Sequence, residues 1–189
     1  MDFKNFNWGT GVFIITYHLA LFIILPIYFV YHSASISLIL ISLFLLFATG
    51  ISISAGYHRF YSHRAYTPSK FVEFFLLIFS TMSLEGSVLK WSYQHRIHHK
   101  FVDRDEDPYC IKKGFWHAHV LWIFGKDTPI DESVVLDLLK NKMVVIQHRF
   151  YVILSIITNI ATTILVWKIT GDLFGAIALS LLLRIFLLH

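Results

Sequence analysis

The sequence predicts an all-α fold: a multi-pass transmembrane helical protein of about four spans, with a cytoplasmic helical cap that holds a histidine-rich metal site. Three observations predict it. Apolar residues make up 56% of the 189-residue chain, above the roughly 45–50% of soluble domains. The excess is gathered into long runs of Leu, Ile, Phe and Val. The 11 histidines are gathered as well, although membrane segments exclude ionisable side chains that have no task.

Residues 11–31 form the first apolar run, about 20 residues, the length a helix needs to cross a bilayer. Pro26 can bend this span, which membrane helices tolerate. Residues 33–57 form the second run. The link between them, at Tyr31, His32 and Ser33, has no Lys or Arg, whereas Lys4 precedes the first run and Arg59, Arg64 and Lys70 follow the second. Basic residues collect on the cytoplasmic face, so the N-terminus and the segment after Tyr57 are expected there. Residues 71–88 form a third apolar stretch, of about 18 residues, the lower edge for crossing, and it contains Glu73 and Glu85. His58 and His63 lie just before it; His95, His98 and His99 lie just after it. A crossing would put the two groups about 30 Å apart, so a re-entrant or interfacial segment is expected. The cytoplasmic cap is expected over residues 58–149, with an amphipathic surface helix at 128–142. Residues 150–169 and 173–189 are read as further spans, joined by the short turn Thr170-Gly171-Asp172 and returning the chain to the cytoplasmic side. The whole is one membrane-embedded domain.

The charge balance narrows the function classes. The net charge is +4, but the Lys and Arg residues flank apolar runs, which suits an anionic membrane face rather than nucleic acid. Cys110 is the only cysteine, so no internal disulfide is possible. The N-terminus lacks the basic start and small-residue cleavage site of a secretory signal.

The chemistry lies in two histidine clusters. The first reads Gly56-Tyr57-His58-Arg59-Phe60-Tyr61-Ser62-His63-Arg64, the second Trp91-Ser92-Tyr93-Gln94-His95-Arg96-Ile97-His98-His99-Lys100. On a helix, His95, His98 and His99 share one face and can serve one metal or two adjacent ones. His58 and His63 are about 140° apart on an ideal α-helix, so they converge only where the backbone changes course. Neutral imidazole suits Fe, Cu, Zn and Ni. A hydrolytic zinc site of the His-Glu-x-x-His type needs a glutamate base, and neither cluster has one. Thiolate ligands are missing, and no Met pairing suggests copper. A lone histidine is usually just packed or solvated. His18 is read as a polar packing residue, and His32 and His148 as boundary residues. His117 and His119 lie beside the cap.

With those residues in view, the chain resembles the membrane-bound fatty acyl desaturases, most closely the stearoyl-CoA-type delta-9 branch. His58 to His63 is similar to their His-x-x-x-x-His box, and His95 to His99 to their His-x-x-His-His box. The similarity runs on through Lys100-Phe101, the stretch from Asp103 to Tyr109, and Gly114 to Val120. The resemblance implies a di-iron centre. In it His58, His63, His95 and His99 serve one iron and His98 the other, while the family's third box, His-Asn-x-His-His, is expected beyond His189. It implies that Asp103, Asp107 and Tyr109 hydrogen-bond the free imidazole N–H groups, and that Glu85, Gly86 and Trp91 line the acyl substrate. For Asp107, followed by Pro108, ordering a turn is an equal alternative; for Trp91, anchoring at the interface is.

The implied reaction is O2-dependent removal of two hydrogens from an unactivated acyl chain, with O2 as co-substrate and an external electron donor of the ferredoxin or cytochrome b5 type. The substrate is a fatty acyl-CoA or an acyl-lipid: animal members carry an Arg-Asp pair where this chain has Tyr93-Gln94, which leaves the head group open. The other expected partners are the electron-transfer protein and membrane lipid. Two alternatives stand beside this reading. One is a histidine-rich membrane hydroxylase or alkane monooxygenase, which would make an alcohol rather than a double bond. The other is a non-catalytic, truncated membrane protein.

Overall fold

The structure, a computed structural model, describes residues 6–126 and 128–189; Lys4, which entered the charge argument, lies outside them. Three helices are long and apolar enough to cross a membrane: α1 (Trp8–Tyr31), α2 (Ile36–Ser62) and α8 (Tyr151–Thr170). Between α2 and α8 lie α3 (Lys70–Thr81), α4 (Val88–Lys100), α5 (Phe115–His119), α6 (Leu136–Leu139) and α7 (Lys142–Arg149). The chain ends in α9 (Leu173–Leu188), apolar but of fewer than 18 residues. The fourth expected span is therefore present as a helix but shorter than a standard crossing.

Local chemistry sets the helix ends. Asn7 and Ser35 cap α1 and α2 by accepting hydrogen bonds from the Thr10 and Leu38 amides, which the first turn leaves without partners. Gly171, at φ 73°, ends α8 in the left-handed conformation that glycine adopts at no steric cost. Asp172 then caps α9 with one carboxylate oxygen, at 2.7 Å from the Gly175 amide, and accepts the Tyr28 hydroxyl with the other, also at 2.7 Å. A Cβ on Gly175 would lie 2.4 Å from both Asp172 Oδ2 and Leu38 Cδ2. Only glycine lets α1, α2 and α9 approach so closely there.

Two cores result. The first joins Tyr28, Leu38, Leu45, Met82, Val166, Ala176, Ala178 and Leu179. Its small residues suit a bundle in lipid, where close packing rather than water exclusion drives association. Around it Val12, Ile15, Phe22, Leu40, Phe44, Ile153 and Ile157 point outward, the all-round apolar surface of membrane helices. The second core joins Tyr57, Tyr61, Leu77, Val88, Leu89, Val135, Leu138 and Val144. It binds the end of α2 to the cap.

The stretch expected to be re-entrant resolves into the 12 residues of α3 and a reversal. Twelve residues rise about 18 Å, well short of about 30 Å of hydrocarbon. Leu84 and Gly86, at φ 64° and 91°, turn the chain, and Ser87 caps α4 on the Lys90 amide. Glu73 is buried in α3 and receives the Lys70 ammonium, the Tyr61 hydroxyl and the Asn141 amide. The surface helix expected over residues 128–142 is broken: a 3-10 turn at Glu132–Val135 and α6 stand there instead. Val135 and Leu138 anchor it into the second core, and Asn141 stops it by capping α7 on the Met143 amide.

Candidate metal centre

The end of α2 is a π-helix from Ser52 to Ser62. Its hydrogen bonds run from residue i to i+5, as in His63 N–H to His58 O at 3.1 Å. Residues five apart then lie one turn above each other. This change of course brings the His58 and His63 rings to a centroid distance of 4.6 Å. The Ser62 hydroxyl donates to Tyr57 O at 2.7 Å and ties the same wide turn. Immediately after, Arg64 takes φ 53° and leads the chain away.

Helix α4 supplies the facing ligands. His95 and His99, four apart, lie 4.6 Å apart by ring centroids, and one nitrogen from each of His58, His63, His95 and His99 falls within 4.8 Å of the others. His63 Nε2 and His95 Nε2 are 2.9 Å apart. Burial, followed by the neighbouring His99, His58, His63 and His98, pushes His95 down to about 3. Burial and the nearby His58, His99 and Arg96 lower His63 as well. Neutral imidazoles whose nitrogens converge are the donor set that a transition-metal ion takes. The four residues therefore fit a metal.

His98 stands apart from that group. Its Nδ1 donates to the buried Asp107 carboxylate at 2.9 and 3.0 Å. Asp107 also accepts the Asp103 and Tyr109 amides at 3.0 and 3.1 Å. So of the three residues expected beside the imidazoles, only Asp107 reaches one with a side-chain hydrogen bond. Asp103, at φ 59°, and Tyr109 contribute backbone N–H groups, and the Tyr109 ring packs on His98 at 4.4 Å. Burial alone would raise the Asp107 carboxyl, but His98 and the two amides hold it below its ordinary value.

Glu85, Gly86 and Trp91 lie on the other flank. The Trp91 ring stacks on His95 at 4.9 Å and 23°. Burial lifts the Glu85 carboxyl to about 7, against a hydrogen bond from Trp91. Gly86 is held on both sides: its carbonyl accepts the Tyr57 hydroxyl at 3.0 Å and its N–H reaches the Tyr151 hydroxyl at 2.9 Å. Gln147 locks this turn by bonding the Val88 amide, the Tyr57 hydroxyl and the Thr81 hydroxyl. His18 bonds Ile14 O, and His148 bonds the Ser87 hydroxyl. His119 bonds Phe115 O.

Sequence reasoning missed the clamp that holds the two boxes together. Arg96 is next to His95 but points away from it. It donates to Tyr61 O at 2.6 Å, Ser62 O at 3.2 Å and Val134 O at 2.7 Å, and pairs with Asp137 through two oxygens at 2.7 and 2.9 Å. Arg64 grips the same carboxylate at 2.9 Å. The type was visible, because a cation adjoins each histidine box in the sequence, but the partners of Arg96 lie 34 to 41 positions away.

A model of the fatty acid desaturase family matches residues 34–189. The chain belongs to the fatty acid desaturase family. It is 39% identical to a probable acyl-CoA desaturase of Schizosaccharomyces pombe over 75% of its own length, and 32% identical to acyl-CoA desaturase 1 of Saccharomyces cerevisiae over 82%. It is 34% identical to the stearoyl-CoA desaturase of Capra hircus over 70%. These matches cover 30%, 31% and 38% of the relatives, so the chain spans about a third of their length. Family membership and three long apolar helices identify an integral membrane protein.

Proposed function

We propose that this desaturase-family chain carries the membrane bundle and the four-histidine half of a di-iron centre that introduces a double bond into a fatty acyl chain. One observation carries the reading: His58, His63, His95 and His99 come from two separate boxes and converge within 4.8 Å. These four hold the first iron. His98 serves the second, because Asp107 occupies its Nδ1–H and leaves Nε2 free as the ligand nitrogen. A carboxylate behind a ligating histidine fixes its tautomer and raises its basicity. When bound, the iron pair would supply what side chains lack: reductive activation of O2 and oxidising power towards an unactivated C–H bond.

The chain's own residues place the substrate. Trp91, stacked on His95, presents an apolar wall beside the metal. Gly86 has open space where a Cβ would stand, so an acyl chain can pass close to the backbone. The Glu85 carboxyl, lifted to about 7, is the polar group at this wall. The relatives' names support an acyl-CoA substrate. Tyr93 and Gln94 in place of a charged pair leave an acyl-lipid equally acceptable. Electrons come from a ferredoxin or cytochrome b5 type donor at the cap, on the cytoplasmic side.

The test is anaerobic Fe(II) loading of the protein in lipid nanodiscs, with iron counted per chain. About one tightly held iron is expected at the four-histidine site. His99→Ala removes it, and His18→Ala leaves it in place. Equal losses in both variants, or a native chain with iron well below one per chain, would overturn the assignment.

A further inference from the structure

Helix α9 hides a cation. Arg184 is 2% exposed, and among the described residues no carboxylate pairs with it. An ionisable group inside an apolar bundle is costly unless it is compensated, and it marks a task. Its guanidinium donates to Ser180 O at 2.8 Å within α9, to Asn159 Oδ1 at 2.5 Å on α8, and to Met82 O at 3.2 Å. The Asn159 amide reaches the same Met82 carbonyl at 3.4 Å. One residue further, Ser83 O meets His189 Nε2 at 2.8 Å.

Met82 and Ser83 are the first two residues after α3. A helix C-terminus leaves carbonyls unpaired and concentrates partial negative charge there. At this depth in the bundle, water is not available to pair them. The cation of α9 is therefore compensated by the negative end of α3, and the end of α3 is capped by the cation. This is the point where an apolar stretch of marginal crossing length turns back.

We infer that Arg184, supported by Asn159 and His189, is the positioning residue that ends α3 inside the bundle and thereby returns α4 to the side of the first histidine box. The consequence for metal binding rests on the proposed reading of the four histidines. Without the cap, the reversal at residues 82–87 loosens, and His95 and His99 lose their register against His58 and His63.

The experiment measures Co(II) affinity and its visible spectrum, together with maleimide labelling of Lys100→Cys in a Cys110→Ala background, all in nanodiscs. Arg184→Met is expected to weaken Co(II) binding by about tenfold or more, in proportion to the lost population of the assembled site, and to slow or divide the Lys100→Cys labelling. Arg184→Lys keeps a cationic donor and is expected to recover most of both. Gly175→Ala loosens the bundle at the Tyr28–Asp172 contact, away from the reversal, and controls for general destabilisation. The inference is overturned if Arg184→Met binds Co(II) like the native protein, or if Gly175→Ala at matched Tm loses as much affinity. Should Arg184→Met not fold, Asn159→Ala serves in its place, with weakened Co(II) binding expected and unchanged binding overturning the inference. A native protein that takes up no Co(II) defeats the metal reading instead. Labelling then decides, and identical Lys100→Cys labelling in native and Arg184→Met protein overturns the inference.

Discussion

Replacing Arg96 by alanine should weaken the four-histidine site without touching a ligand. The side chain is 13% exposed and joins the end of α2 to α4 and α6. Its loss strands the carbonyls of Tyr61, Ser62 and Val134 and leaves Asp137 to Arg64 alone. Hydrogen bonds to a charged group contribute about 1.5–3 kcal/mol each. The Asp137 pair counts for less: its side chain is 32% exposed, and exposed pairs contribute at most about 1 kcal/mol. Bonds at one residue are not additive, so the net loss is about 3 kcal/mol. That is a large share of the roughly 5–15 kcal/mol holding a domain together. Every 1.4 kcal/mol is tenfold in an equilibrium. If half or more of the loss falls on the α2–α4 junction, the equilibrium between assembled and separated histidines shifts about 10–100-fold towards the separated state, and the Kd for Co(II) rises by up to that factor. Arg96→Lys keeps the charge but not the planar fork, so an intermediate Kd is expected. Titration with Co(II), followed by visible absorption in nanodiscs, measures both. An Arg96→Ala protein with native Kd and spectrum, despite a lowered Tm, would refute the clamp.

Three other outcomes are expected. Hydrogen bonds from Arg96 and Arg64 outweigh burial and hold the Asp137 carboxyl well below the usual carboxylate range. Its folded value thus lies below its unfolded one, near 3.9, so its stabilisation is present above about pH 4 and fades as the pH falls further. Asp137→Asn should flatten the acid limb of Tm against pH in this range, and an unchanged slope would count against the pair. Gly175→Ala forces a methyl against Asp172, Leu38 and the Tyr28 hydroxyl. It should cost about 1–3 kcal/mol, the usual range for overpacking, read as a Tm drop in detergent; a neutral variant would show that the close approach is not needed. Arg64→Cys and Lys100→Cys, each in Cys110→Ala protein, should both react with an impermeant maleimide from the same face of sealed vesicles. Reaction from opposite faces would mean that residues 71–88 cross.

The sequence disclosed what local rules govern and hid what long-range contact decides. Apolar run length announces α1, α2 and α8, because the thickness of hydrocarbon sets it directly. The spacing of His95 and His99 announces a shared helical face, because four residues make about one turn. Spacing alone argued against His58 and His63 meeting, and the π-turn removes that objection by changing the number of residues per turn. No pairwise periodicity rule anticipates such a turn. Helical spacing alone leaves His98 equivalent to His99; the family resemblance separated them, and the Asp107 carboxylate holds the His98 ring apart from the four-histidine group. Asp103 and Tyr109 look like side-chain partners for imidazole, yet they bond Asp107 through their backbone amides. Arg184 sat in plain view as the one charged residue of an apolar run. Its meaning depended on a helix end 102 positions earlier in the chain. The residues that bind were legible as types at a spacing. Arg96 and Arg184, which hold the elements that carry them, act largely through backbone carbonyls, which every residue carries and no sequence pattern marks.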